Sequence, residues 1–332
     1  MTCPKDMVHG PCGGVGVDGA CEIDAGLPCP FVPAPVTTTA LRATPVPLRL
    51  DARPLIVADI PVPALDLEAL RRTAGTMAAD GAIDAALTGD HGDERVQLPP
   101  VLRAQALAGE GLAPWIGLNC RDRNRVALEG ELAGLATVHG LAAVHCVTGD
   151  HTATGHRPDA QPVFDLDSTQ LTARAASQGL TVSVAEAPLS PPVGARPARL
   201  AAKVRAGAAV CIVNHTGDAR VVADFVAAAR AAGAVDTLFL ACVPVVVSVA
   251  SARALLGFAG MVTPPGLVER VLAAGDPRAV RAAGVAEATG FAEAVLAVPG
   301  VAGVDLSGVT IRGEEPLLAA AMVEVAGRIR HG

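Results

Sequence analysis

Four cysteines open the chain at wide, nearly regular intervals: Cys3, Cys12, Cys21 and Cys29, spaced C-x8-C-x8-C-x7-C. Four thiolates suit tetrahedral zinc or an iron–sulfur cluster. No C-x2-C pair, which would favour a zinc ribbon, occurs among them, so both metals stay open. Glycines and prolines between the cysteines let the backbone turn around a metal. A segment of about thirty residues with this composition has little core and needs a staple. Disulfides or free thiols are the competing reading. A second set of reactive side chains lies further on, each just after a short apolar run: Asp59; Asp90 and His91; Asn119, Cys120, Arg121 and Asp122; Asp150 and His151; Glu186; Asn214 and His215. Carboxylates and imidazoles so placed could move protons or bind a metal, and amides could hold a polar heterocycle. The bland reading is that some of them, Asp122 and Asp150 first, cap the helices that follow.

The elements that must position these residues are legible from about residue 54 onward. Eight short apolar runs recur: PLIVADI, IDAALTGD, APWIGLNC, AAVHCVTGD, TVSVAEA, AAVCIVNH, LFLACVPV and GVDLSGV. Each is nearly continuous in apolar residues, as expected of strands covered on both faces. Between them lie segments such as LDLEALRRTAGTMAADG and ARLAAKVRAG, apolar at helical spacing and often ending in Gly. Eight strand–helix units in this order predict a (β/α)8 TIM barrel. A doubly wound sheet is the alternative, but no G-x-G-x-x-G follows the first run, so a dinucleotide site of that kind is not supported. A barrel works at the C-terminal ends of its strands, where the second set falls. The expected organisation is a cysteine-rich metal module over 1–31, a proline-rich linker or strap over 32–53, and the barrel over 54–332.

Composition narrows the partners. The chain has 332 residues, 51% of them hydrophobic, 18% charged and 2% aromatic, with no Tyr and a net charge of −7. The core must be built from Ala, Val and Leu. No basic run with interleaved aromatics appears, which argues against nucleic acid. The N-terminus has no apolar signal segment and no run is long enough to span a bilayer, so a cytoplasmic protein with no membrane partner is expected. In a reducing compartment the eight cysteines read as ligands or buried thiols, with Cys120, Cys146, Cys211 and Cys242 as small core residues.

The run CRDRNRVALEGEL, then AAVHCVTGDHTATG, PVFDLDSTQL, RLAAKVRAGAAVCIVNHTGD, PVVVSVASARALLGFAGMVTPPGLVERV and GVAEATGFAEAVLAVPGVAGVDLSG resemble, in order and spacing, the methylenetetrahydrofolate reductase family. The N-terminal CPKDMVHGPCGGVGVDGACEIDAGLPC resembles a cysteine-rich segment attached to or partnered with some members, there more often behind the barrel than ahead of it. The resemblance implies reduction of 5,10-methylenetetrahydrofolate to 5-methyltetrahydrofolate through FAD. It implies Asp150 near the flavin and folate, with Gly149, His151 and Lys203 around the cofactor. Lys203 matches a lysine that reaches the flavin phosphate or ribityl region. Asp59 takes the place of a Glu that protonates the folate. Asn214 takes the place of a Gln that holds the pterin, with His215 and Glu186 beside the substrate. Electrons would come from NAD(P)H or a partner reductase, and a homo- or hetero-oligomer is compatible.

Departures from the family pattern sit with these implications. The fifth run keeps its proline but lacks the aromatic and His that many flavin-dependent members carry, and His215 stands where Phe is frequent. Two further functions therefore stay open: a folate-binding or electron-transfer subunit without its own flavin, and a metal-dependent barrel hydrolase using His91, His151 and His215.

Overall fold

The computed structural model describes residues 3–89, 94–257 and 261–331. A small antiparallel pair, β1 (Ala20–Cys21) and β2 (Asp24–Pro28), lies in the cysteine segment. Eight strands then form a closed parallel barrel: β3 (Leu55–Asp59), β4 (Ala85–Thr88), β5 (Ala113–Asn119), β6 (Ala143–Val147), β7 (Val182–Glu186), β8 (Val210–Val213), β9 (Leu238–Pro244) and β10 (Val301–Ser307). Each pairs with the next in sequence, and β10 closes on β3. The eight apolar runs coincide with these eight strands, most of them trimmed at their ends, with β10 starting two residues ahead of its run.

Single helices follow the first six barrel strands: α1 (Leu67–Ala78), α2 (Pro100–Gly109), α3 (Arg125–Leu135), α4 (Ser168–Ser177), α5 (Arg196–Arg205) and α6 (Ala219–Ala231). Three follow β9, namely α7 (Val249–Leu256), α8 (Leu267–Leu272) and α9 (Pro277–Leu296), and α10 (Glu315–His331) ends the fold. Asp and Ser N-caps start many of them. Asp66, Asp218, Asp276 and Ser248 each accept from backbone N–H groups of the first turn, which satisfies donors that a helix start leaves unpaired. Here α7 and α8 form their own apolar cluster with Val246 and Val280, a third helical layer on an otherwise regular barrel.

Two apolar cores result. The larger lies between strands and helices, rich in Val, Leu and Ala. The smaller fills the lumen with Leu55, Val57, Leu87, Trp115, Ile212, Leu240 and Cys242. Because side chains alternate along a strand, Leu55 and Val57 in the lumen place Asp59 on the same side. The strap runs down the outside. Ala43 N–H donates to Arg205 O at 3.1 Å, Arg205 donates back to Thr37 O, and the Thr181 hydroxyl donates to Pro47 O at 3.0 Å. Leu48 and Leu50 then pack on the lumen core beside Ala113, Ala209 and Leu238 and seal its N-terminal end. Among the described residues no helix is long and apolar enough to cross a membrane.

Candidate functional site

The cysteine module sits on the C-terminal rim of the barrel, over the ends of β6 and β7. Three anchors hold it. Asp167, the fully buried N-cap of α4, accepts from Val8 N–H (3.1 Å), His9 N–H (2.8 Å) and His9 Nδ1 (3.1 Å), while also accepting from Thr169 and Gln170 N–H. Burial alone would raise its pKa, but the His9 contacts and these N–H donors hold it well below the usual carboxylate range. Glu22 accepts from His151 N–H at 3.2 Å and pairs with the buried Lys5 at 2.5 Å. Arg196, also buried, donates to Cys12 O (3.0 Å), Pro11 O, Ser190 O and Pro191 O, and the Ser190 hydroxyl donates to Val15 O.

All four cysteines of the module line one small cavity, together with Lys5, Gly14, Glu22 and Phe31. None of the eight cysteines is in a disulfide. Among the described residues no group of three or more His, Cys, Asp or Glu is drawn together as a single-ion site. A tetrahedral Zn–S4 site needs sulfurs about 3.8 Å apart, from Zn–S bonds of about 2.3 Å, whereas a cluster core spreads its ligands wider.

The charge beneath the module fits such a group. Glu186 accepts from Arg196 (3.2 Å), Arg199 (3.1 Å) and Lys203 (3.0 Å), all four side chains being buried. Three cations against one carboxylate leave two positive charges in excess below Cys12. Four thiolates around a doubly positive metal core carry two negative charges in excess. The cations hold Glu186 down at about 2 against the opposing effect of burial.

This cluster corrects two expectations. Ser183 faces the lumen, so Glu186, three residues on, faces outward to α5 and away from any ligand in the mouth. Lys203 donates to Ala185 O at 2.5 Å and to Glu186. Its ammonium is spent on a carboxylate and a carbonyl, with the module overhead, so it does not present a phosphate site. His151, the N-cap of a short 3-10 turn over Thr152–Thr154, stacks on Phe164 at 5.9 Å and binds the module. Of the residues placed around a flavin by resemblance, Lys203 is engaged by Glu186 and Ala185 O, and His151 by Glu22 and Phe164.

Other expected residues divide cleanly. Arg121 is fully buried, makes a two-pronged ion pair with Asp122 and donates to Asp150 O, while Asn124 caps α3. These are structural roles. Asp150 caps no helix; it is exposed beside the module, where its charge faces Lys5. Gly149 has φ +88°, and a Cβ there would lie 3.0 Å from that of Asn119, so the Gly149–Asp150 turn needs glycine to close over β5. Asn214 accepts from His215 N–H, and His215 Nε2 meets the Ser307 hydroxyl at 2.8 Å. Burial holds His215 near 4, hence neutral at pH 7. Asp90 and His91 lie outside the described residues. His151 and His215 are committed to different partners, so the three-histidine hydrolase site finds no support among the described residues.

The lumen holds polar residues that the sequence reading missed. Trp115 Nε1–H donates to Ser183 Oγ at 2.7 Å, and Ser183 Oγ meets His145 Nδ1 at 2.9 Å. His145 is neutral, pushed down to about 4 by burial and then by Lys203. On β10, Asp305 faces inward, and the Cys242 thiol donates to it at 3.6 Å. The signal was present: His145, Ser183 and Asp305 each interrupt an otherwise apolar run. A surface cleft of about 550 Å³ beside Arg53, Glu293 and Arg328 lies at the opposite end of the barrel, where barrels stabilise rather than catalyse.

The class defined is a (β/α)8 barrel with a cysteine module docked on its mouth. Residues 1–44 match the family model described as the methylene-tetrahydrofolate reductase C-terminal domain, here ahead of the barrel. No curated protein matches the chain. An uncharacterized protein from Clostridium thermocellum that binds two copies of 5-methyl-5,6,7,8-tetrahydrofolic acid is similar in structure: TM-score 0.58, 12% identity, 83% of this chain and 95% of that one. EDTA monooxygenase from Chelativorans sp. BNC1 (TM-score 0.51, 12% identity, 83% and 94%) and tryptophan synthase from M. tuberculosis in an open form (TM-score 0.51, 16% identity, 84% and 94%) are also similar. At these identities the likeness establishes the barrel fold.

Proposed function

We propose that the barrel mouth binds a reduced folate and that the chain serves the conversion of 5,10-methylenetetrahydrofolate to 5-methyltetrahydrofolate. The two reducing electrons come from NAD(P)H or a partner reductase rather than from a flavin held by this chain. The observation that carries the reading is the match of residues 1–44 to a reductase-associated domain, on a segment whose anchors seat it on the mouth. The folate-binding Clostridium thermocellum barrel supports the same substrate class. Asp59 is the acid at the mouth, Asn214 an amide for the pterin, and Asp150 an exposed carboxylate on the rim.

Cys3, Cys12, Cys21 and Cys29 hold a metal centre in this reading, zinc or an iron–sulfur cluster, and the shared cavity that all four line supports it. A cluster would supply an electron relay, and zinc would supply only a staple. The chain's own part is to keep that centre against the rim through Asp167, Glu22 and Arg196.

The chain contains one Trp and no Tyr, so intrinsic emission reports Trp115 alone, inside the lumen. Titration with 5-methyltetrahydrofolate is expected to quench it saturably, with a matching calorimetric isotherm. No saturable change in either measurement would remove the folate reading.

A further inference from the structure

Two carboxyl groups share the upper lumen without a cation between them. In register, Asp305 of β10 lies beside Val57 of β3 on one side and Cys242 of β9 on the other. Both neighbours belong to the lumen core, so Asp305 points inward with them. Asp59 stands two residues above Val57 on the same face of the adjacent strand, partly open to the mouth. Asp305 is 3% exposed. Its Oδ2 accepts from the Cys242 thiol, and its Oδ1 is buried with no hydrogen-bond partner.

A core position does not call for this arrangement. An orphaned buried carboxylate oxygen is costly, and an apolar side chain of similar size would fill the layer at lower free energy. Like charges on neighbouring strands of one lumen face, in low dielectric, oppose each other's ionisation. Burial, then the charge of Asp305, push Asp59 well up; burial pushes Asp305 up to about 7. The other titratable groups nearby are the Cys242 thiol, His145 on β6 and His215, which bonds Ser307. Both histidines are neutral at pH 7. Among the described residues no cation is hydrogen-bonded to either carboxyl group.

We propose that Asp59 and Asp305 form a proton-sharing carboxyl pair, in which Asp305 is the positioning residue that keeps the proton on Asp59 for donation to a ring nitrogen of a bound heterocycle. On transfer the Asp59 O–H bond breaks as the N–H bond forms, and the negative charge left behind is held by the pair. The identity of the heterocycle as a folate rests on the function proposed above. The pair itself is a property of the ligand-free chain.

The test separates the two. Carbon-13 NMR of the full, metal-loaded chain labelled at aspartate Cγ is followed against pH in wild type, Asp305→Asn and Asp59→Asn. Wild type is expected to show one carboxyl titrating near 7 and a second also raised well above the ordinary carboxylate range. Asp305→Asn should move the second midpoint down by about one to three pH units, and Asp59→Asn, which keeps a neutral neighbour beside Asp305, should remove the second midpoint and leave the one near 7. Two reciprocal variants guard against one failing to fold. No aspartate above the ordinary range, a second midpoint indifferent to loss of Asp305, or a second midpoint that survives Asp59→Asn, overturns the pair. In parallel, the affinity for 5-methyltetrahydrofolate is read from Trp115 emission. It should fall about tenfold per pH unit above the Asp59 midpoint, earlier in Asp305→Asn. A pH-flat affinity overturns the donor role. Coupled titration with no folate binding upholds the pair and overturns the folate reading instead.

Discussion

Replacing Asp167 separates the helix cap from the anchor that holds the module. Its carboxylate accepts five donors: Thr169 and Gln170 N–H within α4, and Val8 N–H, His9 N–H and His9 Nδ1 from the module. Asn is as good an N-cap as Asp, so Asp167→Asn keeps the helix start and removes the charge. Asp167→Ala removes both. The cap is worth about 1 kcal/mol. The module side is one charged acceptor serving three donors, and hydrogen bonds to charged groups contribute about 1.5–3 kcal/mol each without adding fully. Loss of about 2 kcal/mol for Asn and about 3–4 kcal/mol for Ala follows. At roughly 2 °C per kcal/mol for a large domain, the melting temperature should drop by about 4 and about 7 °C. Limited trypsin digestion should then release the segment ahead of Arg42, Arg49 and Arg53 much faster in both variants. The pH dependence has a definite sign. The folded pKa lies below the unfolded value, so the contribution is complete above about pH 5 and lost as pH falls below about 3.9. The wild-type advantage over Asp167→Asn should shrink in that window. Unchanged proteolysis and melting in Asp167→Asn would refute the view that this carboxylate holds the module to the barrel.

Glu186→Gln strands three buried cations and should cost about 3–5 kcal/mol in urea unfolding at pH 7; wild type should lose the same contribution as acid titrates Glu186 from its ordinary range toward about 2. Lys203→Met removes only one of three cations and should leave 5-methyltetrahydrofolate affinity within about twofold by calorimetry, whereas a lysine that contacts ligand would show a large loss. His145 and His215 are buried neutral, so the unfolded chain binds more protons below about pH 6.5. Thermal stability should fall between there and about 4, less steeply in His145→Gln. Cys12→Ser and Cys21→Ser should each abolish stoichiometric metal, read by elemental analysis and by the visible spectrum of anaerobically purified protein.

The barrel was legible because its strands are covered on both faces and its helices are not. Near-continuous runs such as AAVCIV and LFLACV stand apart from amphipathic segments with Gly stops. The residues at strand ends were legible as a set, but not their directions. Only parity from a register sends Asp59 inward and Glu186 outward, since both end an apolar run. Arg196, Arg199 and Lys203 fall at i, i+3 and i+7, one face of α5, a spacing that marks a shared partner. Which carboxylate they meet depends on helix rotation against β7, which no local pattern records. Asp305 escaped because GVDLSG reads as a strand with one polar lapse. Its meaning comes from Asp59, some 250 residues earlier, brought alongside only when β10 closes on β3.

The placement of the anchors has a consequence for synthesis. The four cysteines emerge from the ribosome ahead of the barrel, and the partners that seat them arrive late: Asp167 follows His9 by 158 residues, and Arg196 follows Cys12 by 184. At about 5–20 residues per second, the thiols wait roughly 8–37 s for a surface to rest on. Through that interval they are open to oxidants, to stray metals and to each other. If the four thiols hold the metal centre proposed above, its delivery is a race run on the nascent chain, and the amount of correctly loaded protein in a cell should depend on translation speed across the first half of the barrel.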